Sequence, residues 1–436
     1  MMTEIMRKIS KISTKNKEVF MKIITRILAF SMCAAMLFAM VLGTVGCSSA
    51  INAENLLEGI TPSSVNGKQA DEGFISSSAD FAIKLFRQSV AGDKNSLISP
   101  LSVMLALAMT ANGADGKTLQ EMETVLGGGM SVDELNEYLY TYMKTLPSTD
   151  KAKVTLANSI WFRNEKGFVV ENDFLQRNAD YYNAPAYKAE FDSSTVDDIN
   201  RWVSNNTDGM IDRIIDGDID EDTMMYLINA LVFDAEWAEI YEKRDIRDGI
   251  FTCYDGSENT VSMMSSSESL YIECGNAKGF VKQYAGGEYC FAALLPNEDV
   301  DILDYIDSLT GEGFVNAYNN AEYAEINAKL PKFSYDYSLS MNDALIAMGM
   351  PSAFLKADFS KMSNEDLFIS QVLHKTFISV DERGTRAGAV TSVQMNKESC
   401  PDGIIEITLD RPFIYAIVDN ATGLPIFIGA VLGLGK

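Results

Sequence analysis

The sequence predicts an α+β fold, with helices gathered early in the body and strands late. Three observations lead there. Helical apolar spacing dominates residues 79–146. Apolar and period-two strand runs dominate from residue 154 onward. No linker rich in Pro, Gly or Ser divides residues 79–436, so the body reads as one domain. With 436 residues, 47% hydrophobic and 22% charged, the chain is long enough for one large core.

In order, residues 79–90 have helical spacing. Residues 101–110 form an apolar helix whose start is marked by Ser99-Pro100. Residues 117–126 and 132–146 are amphipathic helices, the first closed by Gly127-Gly-Gly129. Residues 154–163 are the first strong strand. Residues 226–237, 261–264, 270–274, 279–284 and 289–295 follow as strands, and 302–309 as a helix. A strand at 325–330 and a helix at 339–348 come next, then strands at 367–372, 376–380, 413–418 and 426–431.

The N-terminal 46 residues read as an export segment. Lys22 and Arg26 precede an apolar run over 27–45, small residues gather at its end, and Cys47 follows. This resembles a bacterial lipoprotein signal with Cys47 as the lipid-bearing residue, although Thr44 stands where Leu is usual. Simple secretion and an uncleaved anchor are the alternatives. All three place the body outside the cytoplasm, at the cell surface or secreted, and translation from either Met1 or Met21 fits. Residues 47–78, rich in Ser, Asn and Gly, read as a tether.

The formal net charge is −25. Residues 1–46 hold seven Lys/Arg and two acids, so the remainder carries 29 basic and 59 acidic residues, a net of −30. Such a surface repels nucleic acid and heparin-like polyanions. His374 is the single histidine, which leaves Ser-His-Asp catalysis and His/Cys metal sites poorly supplied. The chain is therefore read as neither an enzyme nor a metal or cofactor protein. The acidic run Asp216–Asp222 lacks the Gly and Glu positions of a calcium loop. Cys253, Cys274, Cys290 and Cys400 show no metal spacing, and Cys400 lies in an exposed loop.

The most informative stretch follows the strand ending at Val380. Thr385, Ala387, Ala389 and Thr391 alternate along one face, all small enough to slide between packed strands, and Arg386 alternates outward. This resembles the reactive-loop hinge of the serpins. The resemblance runs through the body in order. It includes Asn95-Ser-Leu-Ile-Ser-Pro-Leu-Ser-Val103, Asn229-Ala-Leu-Val-Phe233 with Trp237, Leu330-Pro-Lys-Phe333, Asp358-Phe-Ser360, His374-Lys375, and Arg411-Pro-Phe413 with Gly423, Phe427 and Gly429. Departures are Asp234-Ala-Glu before Trp237, Ile240-Tyr241 where Pro-Phe is common, and Arg386 at a usually acidic position.

The resemblance implies three β-sheets, one large and central, with about eight or nine helices and an exposed reactive loop over about 382–410. It implies a monomeric serine protease inhibitor acting as a suicide substrate, whose cleaved loop inserts into the sheet and traps the acyl-enzyme. The hinge would comprise Glu382, Gly384, Thr385, Ala387, Ala389 and Thr391, with Gly384 permitting a sharp turn. Ser99, Ser102, Asn229 and His374 would form the polar cluster where strands part, with Trp237 at the top of the sheet. Counting from Glu382 places the reactive bond at Glu398–Ser399, and counting back from Pro412 places it near Pro401. Cross-class inhibition of cysteine proteases and a non-inhibitory binding protein are the alternatives. Asp133, Glu134 and Glu137 stand where some serpins carry a basic heparin-binding helix, so no heparin activation is expected.

Overall fold

The computed structural model describes residues 51–92, 94–385 and 403–435. Strands are numbered in chain order. A seven-stranded sheet runs β1 (Glu54–Asn55), β4 (Ala186–Ala189), β3 (Ala152–Arg163), β5 (Met225–Glu236), β13 (Gly384–Thr385), β12 (Gln371–Val380), β11 (Phe333–Ser340). A nine-stranded sheet runs β14 (Ile405–Thr408), β10 (Glu322–Pro331), β7 (Glu258–Cys274), β8 (Ala277–Gln283), β9 (Tyr289–Pro296), β15 (Phe413–Asp419), β16 (Pro425–Val431), β2 (Ser96–Ile98), with β6 (Ile246–Thr252) on β7. The α+β class holds.

Three sheets were expected and hydrogen bonding joins the strands into two. The cause is β7, 17 residues long. Residues 261–264 and 270–274, read as separate strands, are one, because Ser265, Ser266 and Ser267 keep their ladder with Lys329, Ala328 and Asn327 of β10. The other edge of β7 is shared in succession, by β6 over Glu258–Met264 and by β8 over Leu270–Cys274.

Among the described residues, nine helices have seven or more residues, and Ser352–Leu355 adds a single turn. Helix Pro100–Ala111 is buried along its whole length and packs on β3, β5 and β16. Its apolar character all round is the mark of a helix between two sheets. Ser99 caps it, its side chain accepting from the Ser102 N–H. On the opposite face of the central sheet, Ile199, Trp202 and Val203 of helix Ser193–Asn206 pack with Trp161, Tyr187 and Ile228 as a second core.

Several boundaries differ from the sequence reading. The first described helix begins at Glu72, because Asp71 accepts the Phe74 N–H as its cap. The preceding segment, read as tether, is docked from residue 51: the Asn52 and Ala53 N–H groups donate to Asp198, Ser63 N–H to Asp180, and Lys68 pairs with Glu134. Leu339 and Ser340 end β11 rather than begin a helix, which starts at Asn342. Of the strand readings 367–372 and 376–380, residues 371–372 and 376–380 belong to a single β12 running through His374, while 367–370 lie in no strand. Helices Asn172–Tyr181 and Gly311–Asn319 and strands β4, β6, β11 and β14 escaped the pattern reading, being short, polar or half-exposed. No described helix is long and apolar enough to cross a membrane.

Candidate functional site at the opening of the central sheet

Two clusters lie along the seam between β5 and β12. These strands pair in parallel from Tyr226↔Gln371 to Ala230↔Lys375, and among the described residues no register pair joins them directly beyond that point. Where the pairing ends sits a buried polar cluster. His374 is fully buried and directly opposite Asn229. Its Nε2 accepts from the Ser99 N–H at 3.1 Å, so Nδ1 carries the proton and donates to Asn229 Oδ1 at 2.5 Å. Asn229 Nδ2 then donates to Asn158 Oδ1 at 3.3 Å, and Ser102 Oγ donates to the same oxygen at 3.2 Å. Burial holds the imidazole down at about 3, so the ring is neutral. Ser99, Ser102, Asn229 and His374 are thus brought together as expected. Asn158 was missed, although a polar residue inside the run Leu156-Ala-Asn-Ser-Ile160 signals a buried partner.

The second cluster closes the seam at its other end. Thr385 pairs with both Val380 of β12 and Ala235 of β5, and Gly384 pairs with Glu236. A Cβ on Gly384 would lie 2.0 Å from the Ala235 carbonyl oxygen. Glycine is needed there for close backbone approach, and its φ lies outside the left-handed region, which corrects the turn role expected of it. The segment before it hangs on β5 and the residues after it. Trp237 N–H donates to the Arg383 carbonyl, Trp237 Nε1 to the Asp381 carbonyl, and Tyr241 N–H to the Glu382 carbonyl. Lys332 pairs with Glu382 and, mainly through that bond, holds its carboxyl below the usual range.

Beneath lies an aromatic and ionic floor. Trp237 stacks on Tyr284 at 4.5 Å between centroids, and Tyr284 meets Phe233 edge-on at 5.0 Å. The Tyr284 and Thr385 hydroxyls are 2.5 Å apart. Lys282 Nζ lies 2.9 Å from Glu268 Oε1 and 4.5 Å from the Tyr241 ring centroid. Burial disfavours its charge, but Glu268 and Tyr241 outweigh that and the net shift is upward. Tyr241 was noted from sequence only as a departure at Ile240-Tyr241, and Tyr284, Lys282 and Glu268 were not singled out. A Lys inside the apolar strand 279–284 was the available signal.

Ala387, Ala389, Thr391, Glu398, Ser399, Cys400 and Cys47 lie outside the described residues.

A family model described as serpin (serine protease inhibitor) matches residues 76–433. The chain belongs to the serpin family. Members are generally protease inhibitors that interact with target proteases, and the fold of this serpin agrees with solved relatives. The native state of tengpin, a thermophilic serpin, superposes with a TM-score of 0.84 at 54% identity, covering 88% of this chain and all of tengpin. Tengpin in its latent state gives 0.75 at 52% identity, covering 85% of this chain and all of that one. An uncharacterized serpin-like protein of Thermococcus kodakarensis is 30% identical over 361 residues, covering 81% of this chain and 84% of the relative.

Proposed function

We propose that this serpin is a suicide-substrate inhibitor of serine proteases, and that the seam between β5 and β12 receives its cleaved loop. One observation carries the reading. The two strands pair only up to Ala230 and Lys375, and the first hinge residues, Gly384 and Thr385, already occupy the far end of the seam. Continuation of β13 would add a strand between them.

In the proposed reaction the protease serine oxygen attacks the Glu398 carbonyl. The bond to the Ser399 nitrogen breaks, that nitrogen leaves with a proton, and Glu398 remains as the acyl group. The freed hinge then zips in from Thr385 through Ala387, Ala389 and Thr391, and each ladder hydrogen bond contributes about 1 kcal/mol. Ser99, Ser102, Asn229 and His374 would hold the closed seam and release it, since their bonds join β12 to β5 and to the start of helix Pro100–Ala111. Trp237 would hold the hinge at the top. The acyl-enzyme is dragged away from productive geometry before water reaches it.

The export reading of residues 1–46 places this action outside the cell, with Cys47 as a lipid anchor or the body secreted, in a bacterial host. The acidic body suits a monomer that engages protease directly, without heparin.

The test mixes the protein with trypsin, elastase, subtilisin, a glutamyl endopeptidase and a papain-like protease, followed by SDS gels and mass spectrometry. The expected result is an SDS-stable complex with a serine protease and a released fragment beginning at Ser399. Clean cleavage with no complex, and no gain in thermal stability, would remove the trapping mechanism and leave a binding role.

A further inference from the structure

Tyr284 directly follows β8, and its hydroxyl is the one polar atom of a side chain with no exposure to solvent. Its ring is held on two sides, stacked on Trp237 and edge-on to Phe233. Its backbone is held as well, by a bridge to Trp237 and by the Ala285 N–H donating to the Glu236 carbonyl. The phenol therefore has a fixed place, and among the described residues its hydroxyl has one hydrogen-bond partner, Thr385 Oγ1. Thr385 is itself 2% exposed. The two hydroxyls satisfy one another inside an apolar shell, one donating and the other accepting.

We propose that the Tyr284 hydroxyl is the receptor for the first hinge side chain to enter the central sheet, a positioning residue that holds Thr385 seated before any protease arrives. If Thr385 withdrew, both hydroxyls would have to be re-satisfied, and Tyr284 has no described alternative. The bond thus biases the resting hinge inward. The consequence for inhibition rests on the loop-insertion reading: a hinge already seated has passed the first step in the race against deacylation, so fewer acyl-enzymes escape.

A double-mutant cycle tests this. Tyr284→Phe and Thr385→Val each remove one hydroxyl while keeping shape, and each leaves the other buried without a partner. Hydrogen exchange at the Trp237 and Tyr241 amides reads hinge seating, since these donate to the Arg383 and Glu382 carbonyls. Each single variant should speed that exchange by about tenfold, and the double variant should return it towards wild type, because two apolar groups of matching shape need no partner. The number of inhibitor molecules consumed per protease trapped should rise in both single variants and fall back in the double. Unchanged exchange in Tyr284→Phe, or a double variant as fast as the singles combined, would overturn the proposal. A general loosening caused by losing the phenol hydroxyl would not be rescued by a change at residue 385. The exchange arm needs no protease. Rescue without any trapped complex would keep the seat and sink the trapping mechanism, and trapping without rescue would do the reverse.

Discussion

His374 shows how much one buried ring can set. Its Nε2 accepts from Ser99 and its Nδ1 donates to Asn229, so both nitrogens are committed in the neutral form. The folded value is about 3 and the unfolded reference 6.5. A depressed folded value means the stability is present above pH 6.5 and is lost as pH falls from there towards 3. At pH 5 the loss from this group is about 2 kcal/mol. We predict that the urea midpoint of the wild type falls between pH 7.5 and pH 5 by clearly more than that of His374→Gln; equal slopes would show the histidine to be uninvolved. Lys282 and Glu268 make a second residue-scale case, at 3% and 11% side-chain exposure. Lys282→Met alone should destabilise by about 3–5 kcal/mol, because it leaves a buried carboxylate uncompensated. The double change Lys282→Met with Glu268→Gln should recover most of that loss, as measured by denaturant unfolding.

At the scale of elements, the telling features are continuity and interruption. β12 runs unbroken through His374, with a strictly alternating buried face from Val372 to Val380. Sequence reading split it because His374 and Lys375 interrupt the apolar run, yet the strand continues through them: His374 is buried and hydrogen-bonded, and Thr376 beyond it is buried and donates to the Leu97 carbonyl. β7 was split for the same reason at its three serines. β13 is the opposite case, two residues long, and its seating depends on the missing Cβ of Gly384. Gly384→Val should therefore push the hinge out of the sheet and convert inhibition into turnover. The gel assay would show cleaved inhibitor with little stable complex, and an undiminished complex yield would contradict the close-approach argument.

For the whole molecule, the proposed insertion makes a prediction, since among the described residues β5 and β12 pair only as far as Ala230 and Lys375: the resting sheet would not be the most stable arrangement. Roughly ten further ladder bonds at about 1 kcal/mol each would accompany full insertion. Cleavage within residues 386–402 should then raise Tm by more than about 10 °C. Calorimetry on intact and nicked protein measures this, and an unchanged Tm would mean that the loop stays outside.

What the sequence determined by itself was local or patterned. The α+β class, the buried helix after Ser99-Pro100, the long strand bearing Asn229 and Trp237, and the small alternating face beginning at Thr385 are all written in composition and period, because apolar spacing and turn chemistry act over a few residues. The resemblance to serpins added the gathering of Ser99, Ser102, Asn229 and His374. Tertiary structure alone decided which polar groups would be buried together from distant parts of the chain: Asn158 with Asn229, Lys282 with Glu268, Tyr284 with Thr385 across 101 residues. It also decided that Gly384 serves close approach rather than a turn, and that residues 51–71 dock instead of trailing free. Such choices depend on which surfaces meet when two sheets close on a helix, and no periodicity along the chain records that.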